Sequence, residues 1–233
     1  MVDAARSDMP SEKHTEQPDE GLSRGLKLLL VLAVLALLVP LLVAKIFTIP
    51  SGSMEQTLHG CPGCDNDRVL VDRLAYRFGD PEPGDIVVFT VPESWRNAEL
   101  PHPSPSSNAL VGALRAVGAT FGLVSPERVD FVKRVIAVGG QTVACCDARN
   151  RLLVDRRPLD EPYIYYDPES GRAAQARFAP VRVPPGQLWV MGDSRSNSVD
   201  SRAAQNGPVP VDALIGKVRL IVLPISRFAT VPR

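Results

Sequence analysis

The 233-residue sequence carries no net charge, its 26 basic and 26 acidic side chains cancelling. A chain-wide basic field of the kind nucleic-acid binders use is thereby excluded, and no nucleic-acid partner is expected. Aromatic residues are sparse at 6%, while prolines number 22. That balance suits short strands joined by turns better than a helical bundle. Only three histidines are present, which leaves few candidates for a histidine-based catalytic triad. Long apolar runs are scarcer still: one stretch reaches membrane-spanning length, and Leu220 to Pro224 is no more than strand-sized.

What is present begins with a polar front. Residues 1–25 mix charges with Pro, Ser and Gly and have almost no large apolar residue, so a disordered tail is predicted there. The character then switches. Leu28 to Ala44 holds no charged or polar side chain; its length of about 17 residues gives roughly 26 Å of helix, slightly short of a ~30 Å hydrocarbon core. Leu26, and Ile46 with Phe47, extend it because the stems of Lys27 and Lys45 snorkel. A buried soluble helix would interrupt its apolar run with polar positions. A cleaved signal would not carry so long a leading tail, nor so weak a cleavage site as Leu42-Val43-Ala44. The sequence therefore predicts a transmembrane signal anchor over residues 26–47, with the lipid bilayer as a partner. Arg24 and Lys27 precede it and Lys45 alone follows closely, which favours a cytoplasmic N-terminus. The expectation is a single-pass protein of the cell membrane, with residues 48–233 extracytoplasmic.

The four cysteines stand as two close pairs: Cys61 and Cys64 in a C-P-G-C turn, and adjacent Cys145 and Cys146. Outside the cytoplasm such pairs read as disulfides or free thiols. Zinc held by four thiolates is the alternative, although adjacent cysteines are awkward as a tetrahedral chelating pair. None has the surroundings of a nucleophile, His59 beside Cys61 reading as an isolated neighbour. No metal or cofactor is assigned.

Strand signals recur at short spacing: Arg68–Leu74, Asp85–Val91, Asp130–Val138, Gln141–Cys145, Arg151–Val154, Leu188–Met191 and Lys217–Leu223. Turn residues such as Gly139-Gly140 and Pro184-Pro185-Gly186 separate them. Strands without intervening helices point to an antiparallel, β-rich body. A proline-rich insertion over 92–128 interrupts the pattern. Within it Ala109–Val124 has helical potential, as a helix packed on the core or one lying in the membrane interface.

Three clusters carry chemistry. The first follows the anchor: Pro50-Ser51-Gly52-Ser53-Met54, in which Gly52 lets a substrate backbone approach closely. The second is Phe131-Val132-Lys133-Arg134-Val135-Ile136. In a strand Phe131, Lys133 and Val135 share one face. A lysine so placed is either solvated on an edge or desolvated; in the second case burial lowers its pKa from ~10.4 and frees a neutral amine for use as a base. The third, Gly192-Asp193-Ser194-Arg195-Ser196-Asn197-Ser198-Val199-Asp200-Ser201-Arg202, offers hydroxyls, amides and an Asp200–Arg202 pair able to stiffen the loop. Among the histidines His14 lies on the cytoplasmic side, His102 in the insertion, and His59 suits a surface role.

In this order behind an anchor, the clusters resemble the bacterial type I signal peptidase family, whose enzymes are Ser–Lys dyad proteases. The match comprises SGSM, the G-D-I-V-V-F run at Gly84–Phe89, KRV and the G-D-x-R-x-N-S-x-D-S-R loop, spread from about Phe47 to Leu223. The insertion at 92–128 looks like the longer actinobacterial forms. The resemblance implies Ser53 as nucleophile, Lys133 as general base, Ser51 with the Ser53 amide as oxyanion hole, and Ser198 positioning the lysine. It implies Asp200 and Arg202 as a supporting ion pair. Pockets for small residues at −1 and −3 would draw on Phe47, Ile49, Pro50, Met54, Leu58, Phe131 and Val132. Signal-peptide-bearing preproteins would be the partners, near the secretion translocon. Gln56, where proline is frequent, and Ser194 and Ser196, where Asn and Asp are commoner, depart from the pattern without touching the Ser–Lys pair. The implied architecture is mainly β: an antiparallel catalytic body with a smaller β subdomain at 139–186, preceded by one transmembrane helix. A self-cleaving repressor-type protease would need a DNA-binding domain where this chain has its apolar span. A non-enzymatic tethered β-domain would make all three polar clusters accidental.

Overall fold

The computed structural model describes residues 24–95 and 130–232, the side chains of 24 and 35–42 excepted. The predicted tail, all but its last two residues, lies outside the described residues, as does the helix expected at 109–124. The chain falls into two compact units, Met1–Pro40 and Leu41–Arg233. Helix α1 (Arg24–Val43) makes up the described part of the first and runs just into the second. Its described side chains are those of residues 25–34 and Val43, and among the described residues no helix is long and apolar enough to cross a membrane.

The second unit is mainly β, with twelve strands among the described residues. A large sheet contains β1 (Ala44–Thr48), β2 (Arg68–Asp72), β3 (Ile86–Thr90), β4 (Asp130–Val138), β9 (Gln187–Met191), β10 (Val209–Pro210), β11 (Leu214–Leu223) and β12 (Ala229–Thr230). Its order is β1-β2-β11-β3-β4-β9-β10, with β12 on β11, and every pairing is antiparallel. A smaller sheet has the order β7-β6-β5-β8, built from β5 (Thr142–Cys145), β6 (Leu152–Val154), β7 (Arg157–Pro158) and β8 (Phe178–Arg182).

β3 shows why the body holds together. Its Ile86 and Val88 join Val69, Val71 and Met54 on one face, while Val87 and Phe89 join Val135, Val190 and Trp95 on the other. A strand covered on both sides reads as an unbroken apolar run, and each such side chain contributes about 1.5–3 kcal/mol by leaving water. Trp95, at the start of the predicted insertion, is fully buried, its ring edge-on to Phe89 at 5.5 Å. A third cluster joins the small sheet to β9 through Val143, Leu152, Trp189 and Met191, with Phe178 stacked on Trp189.

One boundary differs from the sequence reading. Residues 44–47, assigned there to the anchor, form β1 and pair with β2 from Ala44↔Asp72 to Thr48↔Arg68. Ile46, Phe47 and Thr48 favour extended backbone, and Pro50 holds Ile49 away from the helical region. Phe47 packs against the core cluster of Ile49 and Met54.

Candidate active site

The nucleophile candidate stands on a short, firmly pinned turn. Ser51 is extended (φ −143, ψ 154) and Gly52–Met54 form one turn of 3-10 helix. Ile49 and Met54, at 2% and 0% exposure, plug the turn's two ends into the core. Leu58 N–H closes it by donating to the Met54 carbonyl at 2.8 Å. On its far side the Ser53 carbonyl accepts the Ser194 backbone N–H at 3.1 Å. Gly192 makes that approach possible, since a Cβ there would fall 2.4 Å from the Ser53 oxygen and 2.3 Å from Ser198 Oγ. Only a residue without a side chain fits.

Lys133 reaches the same point from β4. It is 3% exposed, with Val87 as its cross-strand partner and the Phe131 ring centroid 5.1 Å from Nζ. Nζ lies 2.7 Å from Ser53 Oγ, and Ser51 Oγ lies 3.3 Å from the same oxygen. Burial pushes the amine down to about 8, because desolvation outweighs the pull of the Asp200 and Asp193 carboxylates; Arg202 pushes the same way as burial. Once neutral, the amine presents a lone pair along the 2.7 Å line and the serine hydroxyl donates to it.

Buried ion pairs hold the loop after β9. Arg202 grips Asp200 through Nε and Nη2 at 2.8 and 2.7 Å, and Asp200 also accepts Gly192 N–H at 3.0 Å. Burial alone would raise the Asp200 carboxyl; the Arg202 contacts win and hold it below its usual range. The Ser198 hydroxyl helps keep Asp200 acidic, yet it is buried without a partner at hydrogen-bond geometry, and no bond joins it to Lys133. Arg134, on the opposite face of β4 from Lys133, makes a fully buried bidentate pair with Asp193 at 2.9 and 2.7 Å. Asp193 in turn accepts Thr57 Oγ1 at 2.6 Å. This binds the Ser53 segment, β4 and the loop into one unit.

Ser53 and Lys133 open onto a cleft of about 1230 Å³ whose wall includes Phe47, Ile49, Pro50, Ser51, Met54, Phe131 and Val132. Leu58 does not reach it; fully buried, it supports Met54 and Ile49 from below. Asp200 and Arg202 also stand behind the wall rather than in it. No histidine contacts Ser53 Oγ among the described residues, whose partners are Lys133 and Ser51. His59 is not the isolated neighbour expected: Nδ1 meets Glu55 Oε1 at 2.5 Å, and both residues line the cleft. The four sulfurs do not converge on one site. They form the disulfides Cys61–Cys64 and Cys145–Cys146.

A family model described as signal peptidase, peptidase S26, matches residues 22–223. The chain belongs to that family. It is similar to the signal peptidase I of Mycobacterium tuberculosis, 44% identical over 93% of this chain and 79% of that protein. To the probable signal peptidase I of Mycobacterium leprae it is 42% identical, over 81% of this chain and 72% of that one. A crystal structure of a signal peptidase I from Enterococcus faecalis V583 matches with a TM-score of 0.38 and 22% identity, covering 60% of this chain and 97% of that one.

In this S26 chain several site neighbours escaped the sequence reading. Tyr165, Asp167 and Glu169 line the cleft from the segment after the small sheet's first strands. Tyr165 N–H donates to the Asp193 carbonyl, and its own carbonyl accepts Arg195 N–H, both at 2.9 Å. Arg195 is buried against Glu161 and Gln175. The segment has no periodicity to read; its one signal is the Tyr163-Ile164-Tyr165-Tyr166 aromatic cluster. For Arg134 the signal was stronger, a charge between inward-facing Val132 and Ile136.

Proposed function

We propose that Ser53 is the nucleophile and Lys133 the general base with which this chain cleaves preproteins after small residues at −1 and −3. As a member of peptidase S26 the chain is a serine endopeptidase that removes signal peptides. The observation supporting the residue assignment is the 2.7 Å contact between Ser53 Oγ and an amine that is 3% exposed. A buried amine titrating near 8 is a competent base where an ordinary lysine is not.

The chemistry follows from the arrangement. Ser53 Oγ attacks the scissile carbonyl as Lys133 takes its proton. The developing oxyanion lies toward the Ser53 N–H and the Ser51 hydroxyl, which turns from Ser53 Oγ to donate to it. The Lys133 ammonium then protonates the departing amine, and water, deprotonated by the same lysine, hydrolyses the acyl-enzyme. Substrate backbone would pair with β4, whose pairing with β9 begins only at Arg134, so that among the described residues no strand lies on that side of Phe131–Lys133. Phe47, Ile49 and Val132 would then admit Ala-sized side chains and reject larger ones by volume. Ser198 would steady Lys133 through a small hydroxyl rotation, and Asp200 with Arg202 would stiffen the loop beneath.

Helix α1 serves in this reading as a membrane anchor with a cytoplasmic N-terminus, bringing the cleft near both bilayer and translocon. Its described side chains Leu28–Leu32 and Val34 are half or more exposed although all are apolar, which in water would be a liability. Holding enzyme and substrate at one surface raises their effective concentration without new contacts. The test is to incubate the detergent-solubilised chain with a preprotein and sequence the new N-terminus. Ser53→Ala and Lys133→Ala are expected to abolish the cut while leaving the circular dichroism unchanged; cutting by either variant removes these assignments.

A further inference from the structure

The Cys61–Cys64 loop takes no part in the mechanism, yet Cys61, Pro62 and His59 belong to the same cleft wall as Ser53. One ring nitrogen of His59 and the sulfurs of Cys61 and Cys64 all lie within 4.8 Å of one another. No other group of three or more His, Cys, Asp or Glu donors converges in this way among the described residues.

The backbone is shaped to present these three donors. Cys64 N–H donates to the Cys61 carbonyl at 3.3 Å, Gly63 takes φ +80, and the Asn66 side chain accepts Cys61 N–H at 2.9 Å. The two Cα atoms are 5.4 Å apart. His59 is fixed on both sides of its Cα. Its N–H donates to Asp67 Oδ2 at 2.7 Å and its carbonyl accepts Asp67 N–H at 2.9 Å. Asp67 is itself fully buried and gripped by Arg227 through Nε and Nη2. The imidazole Nδ1 faces the Glu55 carboxylate. A carboxylate on one ring nitrogen fixes the tautomer and leaves the other nitrogen's lone pair for a metal, an arrangement typical of histidine ligands.

We propose that, when the Cys61–Cys64 disulfide is reduced, Cys61, Cys64 and His59 bind a zinc-class divalent cation on the wall of the substrate cleft. Two thiolates and an imidazole are a borderline-soft donor set suited to tetrahedral zinc, with the fourth position left to solvent because Cys64 is exposed. Reduction proceeds by thiol–disulfide exchange with a small dithiol. Its thiolate attacks the exposed Cys64 sulfur, the Cys61 thiolate leaves, and the dithiol's second sulfur displaces Cys64. Two electrons pass to the protein sulfurs and the dithiol departs as its own disulfide. The cation then takes both thiolates, their protons going to water. The loop thus has two closed states, one covalent and one metal-bound, and both border the space a preprotein must enter.

The test uses the full chain in detergent, carrying Cys145→Ser and Cys146→Ser so that only one cysteine pair remains. Protein reduced with a dithiol and desalted under argon is titrated with cobalt(II). The expected result is one cobalt per chain with thiolate-to-metal charge-transfer absorption, displaced by zinc(II), and no such absorption before reduction. His59→Ala should weaken binding at least about tenfold, and Glu55→Gln by about ten- to a hundredfold. Absence of the charge-transfer band after reduction overturns the proposal, as does undiminished cobalt affinity in the His59→Ala chain. Because the readout is metal binding rather than cleavage, it stands or falls apart from the assignment of Ser53 and Lys133.

Discussion

Raising the pH is expected to switch the enzyme on along a curve set by one buried amine. With Lys133 titrating near 8, the neutral fraction is about one-tenth at pH 7 and about nine-tenths at pH 9, so kcat/KM should rise about tenfold and level off. A solvated lysine at ~10.4 would give a rise of about a hundredfold over the same interval with no plateau. The fall from ~10.4 to about 8 corresponds to about 3 kcal/mol between the protonation states, and the fold bears that cost. The sign follows from proton counts: between about 8 and ~10.4 the unfolded chain holds a proton on this lysine that the folded one has lost, so stability rises with pH there. Below that window the cost is carried in full. Lys133→Met should therefore be inactive yet more stable than the parent at pH 7, by up to about 3 kcal/mol, the gain shrinking toward zero as pH passes ~10.4. Steady-state cleavage of a peptide substrate across pH, with urea unfolding of both chains at pH 7 and 10, measures both halves. A rising limb at the free-lysine value, or a Lys133→Met gain that does not depend on pH, refutes the reasoning.

Asp200→Asn removes the largest charge favouring the Lys133 ammonium and uncovers Arg202, so the rising limb of the profile should move to lower pH; a move upward contradicts the electrostatic account. Gly192→Ala forces a methyl against the Ser53 carbonyl and Ser198 Oγ, and it is expected to lower kcat by about a hundredfold and to cost about 1–3 kcal/mol in denaturant unfolding. Asp193→Ala leaves Arg134 charged and buried without its partner, and should cost about 3–5 kcal/mol in denaturant unfolding. Removing residues 1–43 should leave a folded unit that still cleaves a soluble peptide, whereas removal through Thr48 deletes β1 and with it Phe47 from the cleft; equal activity in the two truncations would argue against that boundary.

Much of the fold was legible because buried strands write themselves as apolar runs. Asp130–Val138 coincides with β4, and the runs around β2, β3 and β9 end within two residues of the observed strands. The strands that were missed are short or carry proline: β7, β10 and β12 are two residues each, and β8 contains Pro180. β8 tolerates its proline because it lies at an edge of the small sheet, where one side of the strand needs no donor. β1 was hidden for a different reason. Ile46 and Phe47 are as apolar as the helix before them, and hydropathy alone cannot mark the residue at which a helix becomes a strand. At the site, the proximity of Ser53 and Lys133 came from resemblance rather than from any local pattern, since 80 residues separate them. Tyr165 and Glu161 act through long-range packing that no spacing rule encodes.

The junction between Ser194 and Ser53 has a bearing on how this enzyme can vary through evolution. Ser194 holds the Ser53 peptide unit with its own main-chain nitrogen, and its hydroxyl is buried without a partner. An amide hydrogen is common to every amino acid but proline, so this position can exchange serine for asparagine and preserve the join. Gly192 has no such latitude. Saturation libraries at the two sites should therefore differ, with small and similarly sized polar residues functional at 194, where the buried side chain has little room, and almost nothing functional at 192, although both residues touch the same carbonyl.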